Sequence, residues 1–169
     1  MAIDNCKHTF EALATKVFPI YLKELNRAAS CTIKDLIDHK CAVNRNPGMG
    51  CYVLYDNASG KQKPFYVGIS KDIIRRIKQH VRGSTHNSAS LAFLIAKREW
   101  ELNNGKFTLR RNEAMRDKKF SKYFKNAQSK ILKSSVKYIQ ITNPVELHLF
   151  ETFCAMHLNT SKFNTYRTH

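Results

Sequence analysis

One acidic residue near the end of the chain stands out because its neighbours give it nothing to do. Val145, Leu147, Leu149, Phe150, Phe153, Cys154, Ala155, Met156 and Leu158 leave a helix that is apolar on almost every face. Only two acids interrupt it. Glu146 follows Asn143-Pro144 at the third helical position, where a capping box places its acid. Glu151 has no such duty, and a buried carboxylate is costly unless a cation or hydrogen-bond donors meet it. It reads either as a structural ion-pair partner for one of many Lys and Arg, or as a functional carboxylate. A second group sits on an earlier helix with Ile73, Ile74, Ile77 and Val81 as its buried stripe. At about 100° per residue, Arg75, Lys78, Gln79 and Arg82 turn away from that stripe, while Arg76 and His80 lie on its flank, one turn apart. There a guanidinium and an imidazole either lean over a sheet toward one site or snorkel as on any amphipathic helix.

The elements that must position these groups follow from periodicity and punctuation. Gly50 to Asp56 reads as a strand, Asn57 to Gly60 as a turn and Phe65 to Ile69 as a second strand, giving an antiparallel hairpin. Ser70 caps the next helix, with Asp72 in its first turn and Gly83 as its stop. A further helix opens at Asn87 or Ser88, with Leu91, Leu94, Ile95 and Leu102 on one side, and ends before Gly105. The stretch from Lys106 to Asp117 is expected to hold a short strand around Phe107 to Leu109. Residues 118–133 form a helix lined by Phe120, Tyr123, Phe124, Ala127 and Ile131, its other faces rich in lysine. Val136 to Thr142 alternates as a third strand, and the last helix runs from Asn143 to about Leu158. Before the hairpin, apolar spacing predicts a helix from Thr9 that Pro19 ends or kinks, and a short one after Thr32 burying Leu36 and Ile37. Asn46-Pro47-Gly48 reads as a turn. The reading is therefore a helical N-terminal extension over residues 1–45 and a main domain over 46–169.

The chain has 169 residues, 43% of them hydrophobic, with ten Phe, seven Tyr and one Trp, enough for one domain with a real core. No apolar run is long enough to span a bilayer and the first residues lack a signal-peptide layout, so a cytoplasmic protein is expected. Five scattered cysteines suggest neither a disulfide framework nor a zinc site, and read as idle thiols. Gly48-Met49-Gly50 is no dinucleotide loop, since no strand precedes it. His148 and His157 lack the spacing of a helical metal pair. The net charge of +16 is concentrated: residues 60–133 carry +14 of it, and the segments on either side carry +1 each. Such a field attracts polyanions, nucleic acid foremost, with anionic lipid or a solvated face as the alternatives.

Gly50-Cys51-Tyr52, then Tyr66-Val67-Gly68, then Ser70, Arg76 and His80, then a late Glu151 and a terminal Asn164, together resemble the GIY-YIG nuclease family. The resemblance covers roughly residues 48–164, with Cys51 and Val67 standing where isoleucines are usual. It implies an α/β (α+β) fold with a small three-stranded antiparallel sheet flanked by helices. It also implies phosphodiester hydrolysis, usually of DNA, with one divalent metal, magnesium or manganese suiting a carboxylate. By position, Tyr52 and Tyr66 become the two site tyrosines, Arg76 the phosphate contact, Glu151 the metal ligand and Asn164 a polar support, and His80 matches a histidine of many members. Either Tyr52 or His80 could take the proton of the attacking water.

The gap from Arg76 to Glu151 is longer than in a compact module of that family. Residues 84–133 are therefore expected to be an inserted, DNA-grasping element, with phosphate contacts from Arg110, Arg111, Lys118, Lys119 and Lys122. The leading expectation is an endonuclease of restriction, homing or mobile-element type on double-stranded DNA, with a homodimer as one way for single sites to cut two strands. A repair or RNA-processing nuclease and a non-cleaving nucleic-acid-binding module are the alternatives. Thr168 and His169 follow Asn164 closely enough to join the site.

Overall fold

The computed structural model describes residues 6–41, 48–57 and 60–164. Most of the Asn46-Pro47-Gly48 turn, the tip of the hairpin turn at 58–59, and Thr168 and His169 lie outside these residues. The described chain builds one antiparallel sheet in the order β1-β4-β2-β3, from Cys31–Thr32 (β1), Gly50–Asp56 (β2), Lys63–Ser70 (β3) and Ser135–Gln140 (β4). The expected hairpin and third strand are present, and the sheet has four strands rather than three. The extra one is two residues of the N-terminal extension, paired Cys31 to Val136 and Thr32 to Ser135. So short a strand has no alternation to read.

The helices are Phe10–Ala12 (α1), Phe18–Arg27 (α2), Ile33–Ile37 (α3), Ile73–Arg82 (α4), Ser90–Asn104 (α5), Arg111–Arg116 (α6), Lys118–Lys133 (α7) and Pro144–His157 (α8). Pro19 does not end the first helical run. A π-helical turn over Leu13–Val17, in which Phe18 N–H donates to the Leu13 carbonyl, joins α1 to α2 and shifts the bonding just ahead of the proline ring. Asp72, not Ser70, caps α4 by accepting from Arg75 N–H, while Ser70 Oγ accepts from Asp72 N–H at 3.0 Å. Helix α5 begins later than expected because Ser88 is used in a turn with Thr85. No strand forms over 107–109, and α6 follows directly, with Glu113 accepting from Arg110 N–H at 2.9 Å. Cys31 and Cys41 are not idle thiols: they are joined as a disulfide, with Cα atoms 6.2 Å apart.

Alternation along β2 feeds two cores. Tyr52 and Leu54 pack with Ile33, Leu36, Ile73, Ile77, Leu91, Phe93, Phe120 and Ile131, under α3, α4, α5 and α7. Cys51, Val53 and Tyr55 pack with Leu13, Phe18, Leu22 and Leu25 of the N-terminal helices and with Phe150 and Cys154 of α8. The basic stretch is thus built into the first core, and the N-terminal helices cover the opposite face of the sheet.

Candidate active site

The site begins where β2 and β3 pair. Tyr52 stands opposite Gly68 and Leu54 opposite Tyr66, so both tyrosines share the face toward α4, their rings 6.2 Å apart. Tyr52 is fully buried, and Tyr66 is half-buried. A Cβ on Gly68 would come within 2.5 Å of the Tyr52 hydroxyl, so the missing side chain is what lets the phenol lie across β3. A Cβ on Gly50 would meet the Ile139 carbonyl at 2.0 Å, which fixes the other motif glycine by its close approach to β4.

His80 extends from α4 and is fully buried, its Nε2 2.7 Å from the Tyr52 hydroxyl and its ring edge-on to Tyr66 at 5.7 Å. Burial, then the charge of Arg76, pushes its pKa down to about 3, so the imidazole is neutral at pH 7. Its Nδ1 is a buried polar atom without a partner. Burial likewise raises Tyr52 well above the usual phenol value and raises Tyr66, outweighing the Arg76 charge that pulls both down.

Arg76 and Arg75 part ways in space. Arg75 is exposed and meets only the helix-capping Asp72, at 4.0 Å. Arg76 turns inward, donating from Nη1 to the Ser88 carbonyl at 3.0 Å and to Gln79 Oε1 at 3.3 Å, and from Nη2 to Ser90 Oγ at 2.9 Å. Ser88 and Ser90 give no sign of this role in the sequence, because they belong to a segment the fold must first bring back. Glu151 projects from α8, and burial pushes its pKa up to about 7. Its charge in turn raises Tyr66, which therefore lies between Arg76 and Glu151 in electrostatic terms. The Asn164 amide clasps the outer edge of β3, accepting from Val67 N–H at 2.9 Å and donating to the Val67 carbonyl at 2.7 Å.

Glu146 is not the capping acid. Asn143 Oδ1 alone accepts from Val145 N–H and Glu146 N–H, while the Glu146 carboxylate is buried against the Tyr21 hydroxyl at 2.8 Å and His8 Nδ1 at 3.3 Å. The sequence offers no hint of these partners, which come from the other end of the chain. Tyr21, holding its proton for that carboxylate, is pushed up to about 12, by burial first.

The family model of the GIY-YIG catalytic domain matches residues 48–147, more than half of the chain. The chain belongs to the GIY-YIG family. No curated protein and no solved structure matches it. As a GIY-YIG protein it is a nuclease, and its substrate is nucleic acid. The matched stretch contains Tyr52, Tyr66, Arg76 and His80 and ends one helical turn before Glu151, and Asn164 also lies beyond it. Among the described residues no helix is long and apolar enough to cross a membrane.

The basic residues of this GIY-YIG chain do not form one patch around Arg76. Lys118, Lys119 and Lys122 are exposed at the start of α7, and Lys119 stands 5.1 Å over the Trp100 ring and bonds Asn104, at the far end of α5. The rise of a helix sets Asn104 about 20 Å along α5 from Ser90, where Arg76 is anchored. Arg110 is exposed at the start of α6, and Arg111 lies over the Phe93 ring at 5.7 Å, about one turn along α5 from Ser90.

Proposed function

We propose that the chain is a divalent-metal-dependent endonuclease that hydrolyses phosphodiester bonds of DNA, with residues 84–133 gripping the duplex. The observation that carries this reading is Tyr66, the half-buried phenol influenced by Arg76 on one hand and by the Glu151 carboxylate on the other. A carboxylate that burial raises, with no ion pair among the described residues, suits a bound cation. One carboxylate, together with water and substrate phosphate, suffices to hold magnesium or manganese. Such an ion supplies polarisation of the phosphoryl oxygen and stabilisation of the leaving oxygen.

The side chains perform the rest. Arg76, fixed by three bonds from its five N–H groups, presents the remaining donors on the tyrosine side, where they meet phosphate charge that grows toward the transition state. Tyr66, the less buried of the two phenols, holds the attacking water, whereas Tyr52 is buried behind it and kept in place by its hydrogen bond to neutral His80. Asn164 keeps β3 in place beside them. Supercoiled plasmid incubated in magnesium is expected to turn into nicked circles and then linear DNA. EDTA or Glu151→Ala should abolish this, Arg76→Ala should slow it about 100- to 1000-fold, and Tyr66→Phe should cost more than Tyr52→Phe. Tight plasmid binding with no cutting under any metal would overturn the reading.

A further inference from the structure

A groove of about 450 Å3 opens beside the site, walled by α5 and the segment that follows it on one side and by Lys162 and Phe163 on the other. Phe163 immediately precedes Asn164, whose amide is bonded to Val67 next to Tyr66. Helix α5 starts at Ser90, which anchors Arg76; the groove wall begins about one turn on, at Phe93, and Lys97 lies about 10 Å along the helix from Ser90. The groove therefore leads away from the catalytic residues along both of its walls, and its far end at Glu101 and Phe107 comes up to Trp100, over which Lys119 lies.

Its lining alternates cations with rings. Lys97 Nζ stands 5.4 Å from the Phe107 ring centre, and Lys162 Nζ stands 5.3 Å from that of Phe163. Arg98 and Arg111 add two exposed guanidinium groups. The one carboxylate in the lining, Glu101, is already met by Lys97 at 3.8 Å. A strongly positive groove calls for a polyanion. Each ammonium lies over its ring, so an unpaired strand that drew the lysines onto its phosphates would leave those ring faces to its bases, whereas duplex DNA, its bases stacked on one another, would use the cations alone.

We propose that this groove holds an unpaired DNA strand adjoining the cleavage point, so that the substrate class is duplex carrying a single-stranded flap or displaced strand. The proposal rests on the nuclease reading above and names the substrate of that same site. The test uses the full-length protein in EDTA, with fluorescent blunt duplex, flapped duplex of the same sequence and single strand. The proteins compared are wild type, Lys97→Gln/Arg98→Gln/Lys162→Gln, Phe163→Leu, and Lys118→Gln/Lys119→Gln/Lys122→Gln. Wild type is expected to bind the flapped form about tenfold more tightly than the blunt one, with quenching of Trp100, the single tryptophan, whose ring is 6.2 Å from Phe107. The groove triple variant should lose that preference and about 2 units of log–log salt slope on the single strand. Phe163→Leu should weaken single-strand binding severalfold with the slope unchanged. Equal wild-type affinity for blunt and flapped DNA, or a flap preference that the groove variants keep and the Lys118 set removes, would overturn the proposal. Plasmid nicking in magnesium separates the two ideas: nicking without flap preference removes the groove and leaves the nuclease reading intact. Groove-dependent flap preference in a protein that never nicks supports the groove and removes the hydrolytic reading.

Discussion

A carboxylic acid that titrates near neutrality must give up its proton before it can hold a metal ion, so in the proposed reading Glu151 ties metal affinity to pH. With its pKa pushed up to about 7, magnesium affinity is expected to fall by nearly tenfold per pH unit well below 7, measured by calorimetry on the wild type. The same shift governs the stability of the metal-free protein. Glu151 has an ordinary value of 4.5, so between 4.5 and 7 the folded chain binds more protons than the unfolded one and stability falls as pH rises. Glu151→Gln should therefore stabilise the protein at pH 8 in EDTA by on the order of 1–2 kcal/mol once partial exposure is allowed for, seen as a higher melting temperature, and change little at pH 4. An unchanged melting temperature at pH 8 counts against a desolvated carboxylate. His80 works in the opposite sense. Its pKa falls from 6.5 to about 3 on folding, so its contribution is fully present above 6.5 and is lost as pH falls toward 3. An NMR titration should find the His80 ring neutral throughout pH 5–8, and a midpoint near 6.5 would contradict the buried Tyr52 contact.

At the scale of elements, the site depends on how closely two strands and one helix approach. Gly68 and Tyr52 face each other across the β2–β3 pair, and the phenol occupies the space a Cβ would need. Gly68→Ala is expected to cost about 1–3 kcal/mol in denaturant unfolding, the usual range for overpacking. It should lower plasmid nicking by more than tenfold in the folded protein, because Tyr52 must leave His80. Full activity in a folded Gly68→Ala protein would show that the tyrosine position does not matter to cleavage. Helix α4 is equally constrained: Asp72 sets its start, and the start sets which of two adjacent arginines turns inward. A shift of one residue would rotate α4 by about 100° and present Arg75 in place of Arg76.

Across the whole molecule, the charge is organised in distance from the site rather than as one patch. The lysines at the head of α7 sit about 20 Å along α5 from the anchor of Arg76, which corresponds to about six base pairs of duplex. In the proposed reading they hold flanking DNA, not the scissile phosphate. Replacing Lys118, Lys119 and Lys122 together by Gln is expected to weaken blunt-duplex binding and to flatten its log–log salt dependence by about 2 to 3 units, read by anisotropy across a salt series. An unchanged slope would remove these lysines from the interface. The N-terminal helices act at the same scale by a different route. They bury Leu13, Phe18, Leu22 and Leu25 against the face of the sheet opposite the tyrosines, and Glu146 ties Tyr21 and His8 to α8.

By itself the sequence determined the features encoded within a few residues: the hairpin, the bounds of α7 and nearly those of α8, the spacing from Gly68 through Arg76 to His80, and the anomaly of Glu151 in an apolar helix. Periodicity and capping chemistry act over one or two turns, so they are legible without the fold. Only the tertiary structure decided that the Cys31–Thr32 strand joins the sheet, that Cys31 meets Cys41, and that Glu146 serves Tyr21 and His8 from more than a hundred residues away. It also decided that Ser88 and Ser90 hold Arg76 and that Gly68 makes room for Tyr52. Each of these is a contact made when the chain returns on itself, and its partners carry no local mark of having been chosen.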